Sequence, residues 1–161
     1  MDKPIIRPIK KIDNKAVAQL IRKVLVDIGV PKVGTAYADR TLDTMYEAYD
    51  VPRSVYFVID AGGTILGGAG IAQLENYTGN VCELQKMYFL EEARGQGLGE
   101  AMMQECLKKA RDFGFAQCYL ETMPYMKAAQ KLYQRTGFKY IDGAMGDTGH
   151  FSCPVHMLID L

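Results

Sequence analysis

The sequence predicts a mixed α/β fold in a single domain spanning residues 1–161, its sheet mostly antiparallel with one parallel crossover. Three observations predict it. Strand-like and helix-like stretches follow one another in the order β-α-α-β-β-β-α-β-α-β-β, with no repeat or linker between them. The strand–helix–strand run over 81–121 requires a crossover between parallel strands. A chain of 161 residues suits one hydrophobic core.

Each element has its own justification. Residues 5–9 alternate loosely as a first strand. Asp13 or Asn14 then caps a helix whose apolar positions, Val17, Leu20, Ile21, Val24, Leu25 and Ile28, recur at helical spacing. Gly29 and Pro31 end it. A second helix is expected over 36–49, with Leu42, Met45, Tyr46 and Tyr49 on one side and Pro52 closing it. The period then changes. Residues 54–60 are rich in β-branched and aromatic side chains, a glycine turn follows, and 65–74 returns as the other arm of a hairpin. Residues 81–90 form the next strand. From 97 to 113 the pattern is helical again, with Met102, Met103, Cys106, Leu107 and Ala110 inward. Gly114 fits a left-handed helix end. A strand over 115–121, a short helix over 126–135 stopped by Gly137, and strands over 138–141 and 154–159 complete the chain.

The totals exclude several classes. Lys plus Arg equals Asp plus Glu at 19 each, so charge gives no reason to expect nucleic acid or an anionic membrane as partner. No apolar run approaches the roughly 18 residues of a membrane span. The four cysteines, 82, 106, 118 and 153, have no C-x-x-C spacing, which speaks against a zinc or thioredoxin-type site. No metal is expected. With no signal peptide in view they read as reduced thiols of a cytoplasmic protein.

The most informative stretch is Arg94-Gly95-Gln96-Gly97-Leu98-Gly99, between a strand and a helix. Glycines there let backbone approach a bulky ligand, and the helix N-terminus adds positive potential, which makes an anion site suited to phosphates. A plain connector would not need three glycines in five residues. A Walker A loop fails for want of Gly-Lys-Ser/Thr. A dinucleotide fingerprint gains from Glu121, at a strand end about 20 residues on, where a ribose acid belongs. It lacks its third glycine, and too little chain follows for a doubly wound sheet.

Arg94, Gly97 and Gly99 resemble the acetyl-CoA pyrophosphate loop of the GNAT superfamily, Gln/Arg-x-x-Gly-x-Gly/Ala. Met87-Tyr88-Phe89 followed by Leu90-Glu91-Glu92-Ala93 is similar to that family's fourth strand and acidic turn. Ala129, Leu132, Tyr133, Gly137 and Phe138 match its A-x-x-L-Y-x-x-x-G-F helix and strand. The element order matches from end to end, and the sharp motifs occupy about residues 83–138. One position departs: where many members carry an Asn, this chain has Met126.

The resemblance implies a sheet splayed around acetyl-CoA as co-substrate and an N-acetyltransferase acting on a primary amine in a ternary complex. It implies cofactor contacts from Met87, Tyr88, Phe89, the run Arg94 to Gly99, and Met126. An amine near pKa 10.4 is protonated at pH 7, so a base is needed. Glu83, eleven positions before Arg94, stands where the histone-acetylating branch carries its glutamate base. Glu121, five positions before Met126, stands where the ribosomal-protein-acetylating branch carries one. Tyr133 corresponds to the tyrosine that reaches the CoA sulfur. His150, in the segment before the last strand, and Tyr46 are candidates for the acceptor side. The acceptor itself stays open between small molecules and protein amines, and the resemblance leaves a homodimer open. A non-catalytic acyl-CoA-binding regulatory module would carry the same glycine turn and is the alternative reading.

Overall fold

A computed structural model describes residues 3–161. Seven strands form one sheet in the order β1-β2-β3-β4-β5-β7-β6: β1 Ile5–Pro8, β2 Val55–Ala61, β3 Thr64–Gln73, β4 Val81–Phe89, β5 Gln117–Thr122, β6 Lys139–Ile141 and β7 Val155–Asp160. Only β4 and β5 pair in parallel. The last strand inserts between β5 and β6, so it lies antiparallel to both neighbours.

Helices cover the two faces. α1 (Asn14–Asp27) buries Val17, Ala18, Leu20, Ile21, Val24 and Leu25, the stripe its periodicity predicts. Asp13 precedes it, but its carboxylate accepts from Lys10 N–H and from Arg7 instead of capping the helix. α3 (Leu98–Asp112) buries Met102, Met103, Cys106, Leu107 and Ala110 against Cys82, Leu84, Cys118 and Leu120 of the central strands. Met102, Met103 and Leu107 each contribute roughly 1.5–3 kcal/mol when taken fully out of water. α4 (Lys127–Thr136) buries Tyr133 and Gln130 and ends at Gly137, whose φ of 119° is left-handed.

The helix expected over 36–49 is broken. Two 3-10 turns, Ala36–Ala38 and Arg40–Thr44, lead into a single short helix, α2 (Met45–Tyr49). The break falls at Asp39, which is extended (φ −63°, ψ 132°) and whose carboxylate turns inward to Lys86 and His150. A tertiary ion pair thus overrides helix propensity. Leu42, Met45 and Tyr49 still reach the core from the broken segment.

Two features of the central strands shape the site. The parallel pairing stops at Glu83 opposite Tyr119. Beyond it β4 runs on to Phe89 with no β5 partner, so its backbone groups on that edge are left for other partners. In β4, Gln85 faces Gly70 and Tyr88 faces Gly68, so two residues oppose Ala69. This bulge holds Lys86 at φ 49° and re-aims the side chains around it.

Candidate active site

The opening between β4 and β5 continues into a cleft of about 490 Å³. Met87, Tyr88 and Phe89 line one wall, and Met126, Ala129, Leu132 and Tyr133 of the α4 segment line the other. The glycine turn closes one end with Arg94, Gly95, Gly97, Leu98 and Gly99. Leu132 is half-buried in this wall. Val24 of α1, Ile28 just after it and the cation Lys127 also line the cleft, and no sequence motif marked them.

The turn has the geometry of an anion site. Gly95 and Gly97 take φ of 75° and 73°, and an added Cβ at either would meet nothing within 4 Å. Ala101 N–H, on Gly97 O at 3.1 Å, is the first helical hydrogen bond of this end. The N–H groups of Leu98, Gly99 and Glu100 therefore lie outside the ladder at the positive end of α3. Gln96 does not line the cleft; it is exposed and donates to Glu92 O at 2.8 Å.

A second cavity of about 50 Å³ shares Met87, Tyr88, Met126 and Tyr133 with the cleft and extends to Glu121, Lys86 and Cys153. Tyr133 stands at the neck between them. Its ring is 6% exposed and packs edge-on to Phe138 at 5.9 Å. No polar side-chain atom among the described residues is both buried and unpaired, and the Tyr133 hydroxyl has no protein partner, so it opens into the cleft. Burial pushes its pKa up to about 12, so it stays a donor at neutral pH.

Behind the small cavity the structure gathers an acidic cluster. Glu83, Glu121 and His150 each place an atom within 4.8 Å of the others. Glu83 is 4% exposed. Burial, less the help of a hydrogen bond from Gln85 and aided by the charge of Glu121, raises its pKa to about 7. Glu121 is bonded differently: Thr148 Oγ1 donates to it at 2.5 Å and the Tyr119 hydroxyl at 2.9 Å. His150 Nε2 lies 2.9 Å from Asp39. Burial works against its charged form, but the hydrogen bond and charge of Asp39 prevail and hold its pKa above the ordinary value. Lys86 pairs with Asp39 at 2.9 Å, not with either glutamate.

His150 thus joins the two glutamates, and Tyr46 does not. Tyr46 packs on the α1 side, its N–H bonded to Asn14. Tyr49 reaches the cluster in its place, through Gln85. Asp39, Gln85, Tyr119 and His156 escaped the sequence reading. Only Gln85 carries a signal: it lies two residues from Glu83, on the same face of the strand. Among the described residues no helix is long and apolar enough to cross a membrane.

Comparison with known proteins shows the family of the chain. The model of the acetyltransferase (GNAT) family matches residues 22–138. The uncharacterized N-acetyltransferase YjgM of Escherichia coli is 42% identical over 159 residues, covering 98% of this chain and 95% of that protein. A GNAT-family acetyltransferase structure from Staphylococcus aureus superposes with a TM-score of 0.85 at 17% identity, covering 99% of each chain. The yncA structure from Salmonella typhimurium, solved with its cofactor acetyl-CoA, gives 0.78 at 18% identity over 99% of this chain and 95% of that one. At these identities the two structures are likenesses of fold.

Proposed function

Since this chain belongs to the acetyltransferase (GNAT) family and is an acetyl-CoA-dependent N-acetyltransferase, we propose that it transfers the acetyl group directly to a primary amine seated between Glu83, Glu121 and Tyr133. The observation that carries the reading is the neck at Tyr133. It joins the cleft that ends in the glycine turn to a small cavity lined by Glu121 and Lys86, with Glu83 and His150 close to Glu121.

The residues present fit acetyl-CoA. The free N–H groups at the start of α3, with Arg94 and Lys127, supply charge for its phosphates. The unpaired β4 edge from Met87 to Phe89 offers main-chain partners to an extended pantetheine, as an added strand would use them. Met126 gives that arm an apolar wall. The thioester would then lie at the neck.

The two glutamates take different roles because their surroundings differ. Glu121, fixed by two hydroxyl donors, holds the incoming ammonium. Glu83, with a pKa near 7, takes its proton. As the carbon–sulfur bond breaks, the Tyr133 hydroxyl hydrogen-bonds the departing sulfur. A thiol titrates near 8.5, below this phenol, so the proton stays on the phenol oxygen and the sulfur leaves as a hydrogen-bonded thiolate, which takes the second proton that the nitrogen sheds as the amide forms. The gain is that of a charge-assisted hydrogen bond. The acidic cluster favours an acceptor that arrives as a cation, whether a small molecule or a protein amine. Cys153 is half-buried, with its thiol pushed up to about 11 by burial, a poor nucleophile at neutral pH.

The cofactor half of the proposal is tested at Gly97. Its Cβ direction is open and its backbone is left-handed, which Asp tolerates better than most residues. Gly97→Asp therefore sets a carboxylate against the phosphates while the fold survives. Acetyl-CoA affinity by calorimetry should fall at least tenfold, about 1.4 kcal/mol. Unchanged affinity in the folded variant would remove the turn from the binding site. Gly99 is the poorer choice, because a Cβ there meets Leu132 at 3.3 Å.

A further inference from the structure

Glu83 is held by a short polar chain that starts on another element. Gln85 Nε2 donates to Glu83 Oε1 at 2.7 Å, and the Tyr49 hydroxyl donates to Gln85 Oε1 at 2.5 Å. Tyr49 comes from α2, 36 residues away, and is 7% exposed. We propose that Tyr49 and Gln85 are positioning residues for the base: the Tyr49 hydroxyl fixes which end of the Gln85 amide meets Glu83, and the amide N–H then aims the carboxylate into the site. The inference rests on Glu83 being the base.

The argument turns on the two ends of an amide. With its carbonyl toward Tyr49, Gln85 offers N–H to Glu83 and favours the carboxylate. With the amide reversed, its carbonyl faces Glu83, repels the carboxylate and accepts from the carboxylic acid. Tyr49 decides between them. Burial, with the charge of Glu83 behind it, pushes its phenol far above the ordinary range, so its proton is always present. In the reversed state that proton loses its acceptor in a place water does not reach. The chain therefore runs one way, toward an ionised Glu83.

Other groups face Glu83 from every side. Glu121 opposes its ionisation, while His150 and Lys86 favour it. Tyr119 of β5, Tyr88 of β4 and Cys153 also feel its charge. None of these donates a hydrogen bond to it; among the described residues Gln85 does so alone. Sheet geometry explains the pairing, since residues two apart on β4 share a face.

The test reads the carboxyl itself. In enzyme carrying carbon-13 at glutamate carboxyls, Glu83 is assigned by its loss in Glu83→Gln and titrated by NMR without substrate. Tyr49→Phe keeps the ring, and Gln85→Met keeps the length without the amide. In each variant the midpoint should rise by about one pH unit, the loss of one hydrogen bond to a charged group. The acid limb of kcat/KM should rise with it. An unmoved carboxyl midpoint in either folded variant overturns the proposal. A carboxyl that moves while the rate profile stays put supports the positioning and counts instead against Glu83 as base.

Discussion

Glu83→Gln is expected to lower kcat by at least about 10²-fold while making the protein more stable above pH 7. Both effects have one cause. The carboxyl is buried on β4 and its pKa is raised to about 7 from 4.5. The folded state thus binds this proton more tightly than the unfolded chain does. Stability therefore falls as pH rises from about 4.5 to about 7, and above that the full cost stands. A rise of 7 − 4.5 at 1.36 kcal/mol each puts that cost at about 3 kcal/mol. A neutral Gln of the same shape removes it. Thermal melts at pH 8 should show the variant several degrees higher, and melts at pH 4 should nearly coincide. The lost rate should partly return at high pH, where the amine sheds its proton unaided. A variant with full activity at pH 7 would hand the proton to Glu121. A variant no more stable at pH 8 would mean that Glu83 bears no burial cost.

Tyr133→Phe should lower kcat by about 10²-fold with little change in KM, because its hydroxyl acts on the departing sulfur. The ring packs against Phe138, and Phe keeps that contact. The hydroxyl bonds to no protein group, so its loss leaves no partner stranded and stability should shift by less than about 1 kcal/mol. Acetyl-CoA affinity should survive. The effect sits at the low end for proton donors because a thiolate is already a tolerable leaving group. Normal kcat in Tyr133→Phe would reduce the residue to a packing role at the neck.

How much of this was legible in the sequence depends on the distance over which each feature is specified. The α3 face, the glycine turn and the α4 segment are written locally. Periodicity placed the apolar face of α3, Met102 to Ala110, in the core, and the resemblance to the GNAT motifs pointed to Arg94, Gly97 and Tyr133, which line one cleft. The parallel pair followed from the crossover it requires. The acidic cluster is written across the chain, from Asp39 to His150, a separation of 111 residues. No local pattern announces it. The same contact broke the helix expected over 36–49, because an Asp that reads as a helix residue is drawn inward to a lysine and a histidine. The bulge at Lys86 is equally silent, since a lysine at positive φ leaves no compositional mark. Lys86 pairs with Asp39 from that bulge. Tyr46 and Tyr49 could not be separated without knowing where that break falls.

The most direct measurement is release of the CoA thiol from acetyl-CoA across a panel of small amines, polyamines, amino acids and peptide amines at pH 8, alongside mass spectrometry of the acceptors. The account predicts thiol release that depends on and saturates with at least one amine, an acceptor heavier by one acetyl group, and a rate that drops sharply in Glu83→Gln. Tight binding of acetyl-CoA with no acetylated amine anywhere in the panel would contradict it and identify the chain as an acyl-CoA-binding module.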